Sequence, residues 1–301
     1  MMCSIGIISF QEAGAQQHFI MTQYMFNGLA LNPAYAGSHE SWSATMMSRH
    51  QWTGIEGAPT TQSFAIHGPI NRVDKASAGL LFVKDKFGAI ELNNVYFLYA
   101  YRISFDRGKK HLALGLQGGF STFNVDLSKS HLIDPDDPVF SNRDMDTFLP
   151  NFGVGIYYHG KHMYAGISLP YFNKNRLNQV NSDLNKQIRH YYLTFGSIHT
   201  LNHNVKFKPS ILIRYVNQVP VDFDLNTSLV FNDVIWVGVT YRLNDSFDFI
   251  FEIQFTDNLR FGYSYDLTTS ELSAVSSGSH ELVLNYRFKR KHHRVYHPRH
   301  F

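Results

Sequence analysis

The stretch at residues 245–288 constrains the fold most, because it reads as three consecutive strands in which apolar and polar side chains alternate. In the first strand, Phe247 and Phe249 share one face while Asp248 lies on the other. Successive side chains on a strand point to opposite faces, so each strand has one apolar, aromatic face and one polar face. A soluble sandwich also alternates, but its apolar faces are rarely this aromatic. Lipid outside and a polar lumen inside explain the pattern better, and this predicts a transmembrane β-barrel.

The composition agrees with a barrel that carries aromatic girdles. Of the 301 residues, 44% are hydrophobic, 15% are aromatic and only 17% are charged. No run approaches the roughly 18 apolar residues of a membrane helix. A membrane crossing would therefore need a closed barrel, because only helices and barrels satisfy their own backbone hydrogen bonds in lipid. The net charge of +3 is too small to argue for a nucleic-acid partner.

The chain divides into four parts. Residues 1–15 are predicted to be a signal peptide, since Ala13-Gly14-Ala15 forms an A-x-A cleavage pattern after a short apolar run. A disordered cytoplasmic N-terminus is the alternative. Residues 16–38 are rich in turn residues and do not alternate, which predicts a periplasmic segment or a plug. Residues 39–288 form the predicted outer-membrane barrel, and residues 289–301 form a basic tail. The sole cysteine, Cys3, lies in the predicted leader, so no disulfide is expected.

The alternation predicts an all-β, antiparallel barrel of about fourteen strands. Every second connection should be a short periplasmic turn, and the three longest connections, at 124–150, 169–187 and 267–279, all belong to the opposite set. The predicted strands lie near residues 40–52, 61–67, 76–83, 92–105, 111–123, 151–158, 162–168, 188–198, 205–216, 223–231, 234–241, 247–255, 259–266 and 282–288.

Histidines and acidic residues invite two metal hypotheses, and both are weak. His190, His199 and His203 cluster around one predicted strand and turn, but they lack the tight spacing and the Cys or carboxylate company of zinc sites. Residues 134–137, with Asp144 and Asp146, form an acidic long loop that could attract calcium. Prolines interrupt this loop and it has no Asp-x-Asp-x-Asp-Gly order, so an exposed loop is favoured. We predict no metal site and no cofactor.

The basic tail and the polar strand faces have simpler interpretations. The tail histidines lie among Lys and Arg, so a solvated tail is favoured over a ligand set, with contact to anionic lipid as the alternative. Charges of both signs on the polar faces favour a network that braces the lumen over a selective pore. These charges are Arg102, Lys206, Lys208, Arg214, Asp248, Glu252, Arg260 and Arg287.

Ser48 and His50 share a face of the first strand, which raises the possibility of a lipid-modifying enzyme. Nothing marks an acid partner or an oxyanion hole. An ordinary hydrogen-bond network in the lumen is therefore the favoured interpretation, and no catalytic residue is predicted.

Three long motifs carry a family resemblance. The first is Gln23-Tyr24-Met25-Phe26-Asn27 with Leu31-Asn32-Pro33-Ala34-Tyr35-Ala36-Gly37-Ser38, and the second runs from Arg49-His50-Gln51-Trp52-Thr53-Gly54 to His67-Gly68-Pro69. The third begins at Gly262-Tyr263-Ser264-Tyr265-Asp266 and ends at Tyr286-Arg287-Phe288. Together they resemble the PorP/SprF family of Bacteroidetes outer-membrane proteins, over residues 16–288.

The resemblance implies a non-enzymatic outer-membrane component of the type IX secretion and gliding apparatus. Family members are similar in supporting the secretion or anchoring of large cell-surface adhesins with a C-terminal secretion signal. Others couple the periplasmic ring lipoproteins, through a peptidoglycan-binding tether lipoprotein, to the outer membrane. A passive diffusion channel is the alternative function, and a lipid-modifying enzyme is a third.

The resemblance and the residues together suggest two contact regions. Segment 32–38 is expected on the periplasmic side, where ring or tether lipoproteins could dock, and loop 52–60 outside or in the lumen, where an adhesin could engage. The partner-binding candidates are Asn32, Pro33, Tyr35, Gly37, Arg49, Gln51, Trp52, Gly54, Gly57 and Pro59.

Overall fold

The computed structural model describes residues 21–25, 27–39, 41–70, 75–126, 144–172, 189–217 and 219–288. The predicted leader at 1–15, the acidic residues 134–137 and the basic tail at 289–301 lie outside these ranges. None of the helices in the described ranges is long and apolar enough to cross a membrane.

Within the described ranges, fifteen strand segments form one antiparallel sheet that closes on itself, because β1 pairs with β15 and β10 pairs with β11. β8 and β9 are two parts of one strand, interrupted at Ile198, whose N–H donates to the His162 carbonyl at 2.8 Å. The result is a closed barrel of fourteen strands, which confirms the predicted fold class and strand number. The segments are β1 (Ser43–His50), β2 (Thr60–Pro69), β3 (Ala76–Phe87), β4 (Ile90–Phe105), β5 (Lys110–Asp126), β6 (Asp144–His159), β7 (Met163–Leu169), β8 (His190–Ser197), β9 (His199–Thr200), β10 (Val205–Val216), β11 (Asp222–Phe231), β12 (Ile235–Arg242), β13 (Ser246–Gln254), β14 (Leu259–Thr268) and β15 (Ser279–Arg287).

The alternation of the sequence becomes an apolar outside and a polar inside. On β13, Phe247 and Phe249 are 42% and 50% exposed, whereas Asp248 between them is fully buried. The large exposed side chains of the other strands are likewise mostly aliphatic or aromatic. A barrel in lipid needs this arrangement, since its outer face contacts acyl chains and its inner face contacts water or protein.

The two ends of the barrel differ in their connections. β1 begins and β15 ends at the same end, where Ser43 pairs with Arg287. We call this the short-turn end, because the connections there are tight, for example 106–109 and 232–234. The opposite, long-loop end carries the connections 51–59 and 269–278. Outer-membrane barrels keep their short turns in the periplasm, so the short-turn end faces the periplasm.

Two hairpins at the long-loop end extend further than the sequence predicted. β3 and β4 meet at a tight turn at Gly88 and Ala89, and β5 and β6 stay paired out to Asp126 and Asp144. The prediction that Asp144 and Asp146 belong to a loop was therefore wrong. Apolar alternation stops where a strand leaves the lipid, but cross-strand hydrogen bonds continue. β5 has 17 residues, whereas crossing a bilayer takes about 9–11.

Candidate functional site: a lumen filled by the N-terminal segment

The described residues from Met21 to His39, here called the N-terminal segment, lie inside the barrel. They form one short helix, α1 (Gly28–Leu31), and one 3-10 turn, Pro33–Tyr35. Asn32 starts the 3-10 turn, since its Oδ1 accepts the Ala34 N–H at 2.9 Å, and Pro33 supplies a φ suited to a first helical position. The Asn32 Nδ2 donates to the carbonyl of Ile156 on β6 at 2.9 Å. One asparagine thus both shapes the segment and attaches it to the wall.

Glycines on the lumen face of the wall provide the space for the segment. A Cβ on Gly115 of β5 would overlap the backbone of Pro33 and Ala34, and one on Gly155 of β6 would overlap the Asn32 side chain. The two glycines are directly paired across β5 and β6. Only a residue without a side chain allows so close an approach.

Three charged side chains hold the segment at the long-loop end, and we call Arg49, Asp266 and Glu281 the clamp. The Glu281 carboxylate accepts two successive backbone N–H groups, from Thr22 at 2.9 Å and from Gln23 at 2.8 Å. The Thr22 hydroxyl donates to Asp266 Oδ2 at 2.7 Å and accepts from Arg49 Nη1 at 2.6 Å. Arg49 Nη2 and Asp266 Oδ2 are 2.7 Å apart.

All members of the clamp are at most 2% exposed. Hydrogen bonds that involve an ionised group in such surroundings are the stronger kind, and losing one partner leaves a buried charge uncompensated. The clamp therefore fixes the segment more firmly than neutral contacts would.

The clamp continues into a larger ionic network on β10–β14. Arg242 pairs with Asp224 and with Asp248, each at 3.3 Å, and Arg214 pairs with Asp224 at 2.7 Å. Arg214 and Asp248 are among the charges predicted for the lumen, whereas Arg242 is not. The prediction that charges of both signs lie on the lumen faces is confirmed by the burial of Arg102, Lys208, Asp248, Glu252 and Arg260.

Aromatic and histidine rings pack around the segment toward the short-turn end. Tyr35 contacts His39, His67 and Tyr157, with ring centroids 5.4–5.6 Å apart. The His67 Nδ1 accepts the Gly37 N–H at 2.9 Å, and Arg102 donates to the Gly37 carbonyl. Burial, with Arg287 and His67 nearby, lowers the pKa of His39 well below 6.5. The imidazole therefore stays neutral at neutral pH and adds no charge to this packed end.

A small cavity lies between the segment and the wall. Its volume is about 30 Å³. The lining includes Tyr24 and Leu31 of the segment and Tyr164 and Lys208 of the wall. That volume suits about one water molecule and is far below the volume of a small-molecule site.

The structure separates the predicted partner-binding residues into two groups. Asn32, Pro33, Tyr35 and Gly37 are buried in the lumen, and Arg49 belongs to the clamp. Segment 32–38 is expected from the sequence to present a docking surface. In the structure, the barrel wall covers these residues. Their turn-rich sequence gave no sign of partners more than a hundred residues away. The other candidates, Gln51, Trp52, Gly54, Gly57 and Pro59, lie together in the loop between β1 and β2.

Neighbouring connections hold that loop, which we call the rim loop (residues 51–59). The Thr53 N–H donates to the Gly278 carbonyl at 2.8 Å, and the Ser277 N–H donates back to the Thr53 carbonyl at 2.7 Å. On the other side, the Gly88 N–H donates to the Gly57 carbonyl at 2.8 Å. The rim loop is thus an ordered platform that joins three connections at the long-loop end.

The remaining predicted groups do not assemble into a reactive site. Ser48 Oγ and His50 Nε2 are 3.5 Å apart. Both side chains lie on the outer face of β1, so the prediction that they belong to a hydrogen-bond network in the lumen was wrong. His199 and His203 are exposed at the short-turn end. Within the described ranges, no group of three or more His, Cys, Asp or Glu residues is placed to hold a metal ion.

The sequence alone did not predict a site at Glu281 and Asp266, nor at Thr22, which hydrogen-bonds to both. A usable signal was present, because both acidic residues lie on polar strand faces near the same end of β14 and β15. No local signal identified Thr22 as their partner.

The structure resembles outer-membrane barrels with little sequence similarity. It superposes on the CymD monoaromatic hydrocarbon channel with a TM-score of 0.51 and 12% identity, covering 89% of this chain and 94% of the other. It matches a TodX mutant described as a monoaromatic hydrocarbon channel with a TM-score of 0.51 and 10% identity, covering 86% of this chain and 93% of the other. It matches Omp33 of Acinetobacter baumannii with a TM-score of 0.50 and 7% identity, covering 84% of this chain and 100% of the other. These likenesses show the fold alone.

Comparison with curated proteins gave no match. Comparison with protein families matched residues 13–286 to the family described as type IX secretion system membrane protein PorP/SprF. The family and the barrel fold place the protein in the outer membrane. Since the match spans most of the chain, this protein is a member of the PorP/SprF family of type IX secretion system membrane proteins.

Proposed function

We propose that this protein is a plugged, non-enzymatic outer-membrane component of the type IX secretion and gliding apparatus. It supports the secretion or surface anchoring of adhesin-like proteins by protein–protein contact. The family provides the link to secretion. The single observation that carries the proposal is the lumen filled by the N-terminal segment, which favours a scaffold over a conduit.

The rim loop is the proposed contact region for secreted protein. It is ordered by backbone hydrogen bonds on both sides, and its exposed residues include Gly54, Glu56 and Gly57. An ordered loop loses less conformational entropy on binding than a mobile one. On the periplasmic side, the short turns are the proposed contact for ring lipoproteins and a peptidoglycan-binding tether, since segment 32–38 is buried.

Two further parts of the chain belong to the same proposal. Residues 1–15 act as a leader that is removed on export. Residues 289–301 form a basic tail whose charges contact solvent or anionic lipid.

Affinity purification from outer membranes in mild detergent, followed by mass spectrometry, tests the proposal. Ring lipoproteins and a tether among the companions would indicate core secretion machinery, and one large adhesin would indicate a dedicated anchor. A chain lacking residues 54–59 should lose surface adhesin while its barrel remains heat-modifiable on gels. Unchanged adhesin would contradict the role of the rim loop.

A passive diffusion channel is the second candidate, because barrels of similar fold are described as channels. A channel should conduct ions in planar bilayers, whereas the plugged barrel should stay silent. Absence of partners together with steady conductance would therefore replace the proposed function by the channel.

A further inference from the structure

A strongly basic surface lies at the short-turn end, away from the lumen. Arg107, Lys109 and Lys110 are exposed on and beside the turn between β4 and β5, and Lys161 is exposed on the turn between β6 and β7. We call these four residues the basic patch. The acidic residue within these two turns is Asp106, which pairs with Lys110 at 3.1 Å. The patch therefore keeps a clear excess of positive charge.

The two turns lie side by side. A Cβ built on Gly160 would be 3.7 Å from Lys110 Cγ and 3.9 Å from the Lys109 carbonyl oxygen. A further basic residue comes from the neighbouring turn, because the Arg102 N–H donates to the carbonyl of exposed Lys75 at 2.6 Å. The positive charges are thus gathered on adjacent turns of one sector.

The patch borders the lipid-facing surface of the barrel. Lys110 lies on the outer face of β5, on the same side of the strand as exposed Leu114. Its cross-strand partner is Phe105, which stacks on Tyr158 at a centroid distance of 6.2 Å. Aromatic pairs at the end of an apolar belt mark the membrane interface, so the basic groups lie at the level of the lipid headgroups.

The opposite sector of the same end has the other sign. The turns after β11 and β13 carry Asp233 and Asp257, and Lys206 is neutralised by Asp233 at 2.6 Å. Among the turns of this end that the structure describes, positive charge is therefore concentrated in one sector.

We propose that the basic patch binds the phosphate groups of anionic phospholipids in the periplasmic leaflet of the outer membrane. Ammonium and guanidinium groups make charge-assisted hydrogen bonds to phosphate, and long Lys and Arg stems let the charged ends reach the headgroups. An acidic protein would match the charge as well, but the outward position of Lys110 and the adjoining rings favour lipid. This site is independent of the proposed role in secretion.

Native mass spectrometry of the full-length protein, with an equal mixture of cardiolipin and phosphatidylethanolamine, tests the proposal. The test variant is Lys109→Gln with Lys161→Gln, which leaves the Lys110–Asp106 pair intact. The matched control is Lys84→Gln with Lys86→Gln, which removes the same charge at the long-loop end. We expect the ratio of bound cardiolipin to phosphatidylethanolamine to fall about 25-fold in the test variant, since each of the two basic residues near an anionic surface contributes about five-fold.

The control should keep the wild-type ratio. Three results would overturn the proposal: an unchanged ratio in the test variant, an equal fall in both variants, or a wild-type protein with no preference between the lipids. The last result would leave an acidic protein as the better partner for the patch. None of these outcomes bears on companions in affinity purification, so the secretion proposal stands or fails separately.

Discussion

At the scale of single residues, Glu281 holds one end of the N-terminal segment in the lumen. It is the acceptor for two backbone N–H groups of the N-terminal segment and also pairs with Arg49 at 3.4 Å. Replacing Glu281 by Gln removes the charge and leaves one amide oxygen to accept. We expect this end of the segment to detach more often, since hydrogen bonds to charged groups contribute about 1.5–3 kcal/mol.

Thiol labelling of intact cells measures this detachment. A Gln23→Cys chain in a Cys3→Ser background should react slowly with a membrane-impermeant maleimide, because residue 23 is buried. Adding Glu281→Gln should raise the rate roughly ten- to hundred-fold. Glu252→Gln is the matched control, as Glu252 pairs with Arg260 at 3.8 Å and not with the segment. Equal rates in both variants would show that the clamp does not hold the segment.

Gly115 gives a second prediction at this scale. A valine there would overlap the backbone of Ala34, so we expect the segment to be displaced or the barrel to lose roughly 1–3 kcal/mol of stability. Gly118→Val is the control, because a Cβ at Gly118 meets only the Phe152 ring at 3.6 Å. Thermal loss of heat-modifiability on gels compares the two. A Gly115→Val chain that is as stable as the control, and that protects the thiol of an added Gln23→Cys substitution equally well, would contradict the close fit.

At the scale of elements, the order of the rim loop depends on Gly278. This glycine has φ of 88°, and a Cβ on it would lie 2.6 Å from the Asp266 carbonyl oxygen. Gly278→Ala should separate Thr53 from Ser277 and Gly278 in the neighbouring connection and speed proteolytic cutting within residues 51–59. Gly108→Ala is the control, because Gly108 has φ of 80° but open space around it. Similar cutting within residues 51–59 in both variants would contradict the role of Gly278 in ordering the rim loop.

The transmembrane parts of the strands were predictable from sequence because lipid imposes a period of two. Phe247, Asp248 and Phe249 fall on the predicted faces for this reason. The hairpin of β5 and β6 beyond the lipid was not predictable. Pro150 pairs with Phe120 within it, and a proline inside a strand argues against a strand on sequence grounds. Only the register with β5 fixes this part of β6.

The contents of the lumen were still harder to predict. Thr22 contacts Glu281 across 259 positions of the chain, and Asn32 contacts Ile156 across 124. Neither contact leaves a local pattern, and the segment has no alternation to assign it to a face. The glycines that receive it are visible in the sequence, but no sequence pattern separates a glycine that admits the segment from one that only relieves strand crowding. The shape complementarity between Gly115 and Ala34 exists only after the barrel has closed.

At the scale of the whole molecule, the segment enters the wall at the short-turn end and is clamped at the long-loop end. β1 begins at Ser43, just after the segment, whereas Thr22 lies beside the clamp near the other end. The chain therefore runs through the lumen before it forms the wall. Any protein bound at the rim loop sits above the clamp, because Arg49 and the rim loop belong to the same end of β1.

Removing the segment tests whether it is what closes the barrel. A chain without residues 21–36 keeps every strand and loses the contacts at Glu281, Gly115 and Gly155. We expect discrete ion-conducting steps in planar bilayers where the intact chain is silent, because the charged wall left behind would fill with water. A synthetic peptide of residues 21–36 should reduce these steps, and the same peptide with Thr22→Val should do so less effectively. A heat-modifiable but silent deletion chain would mean that other parts of the protein close the lumen, and the rim loop would then be the next element to remove.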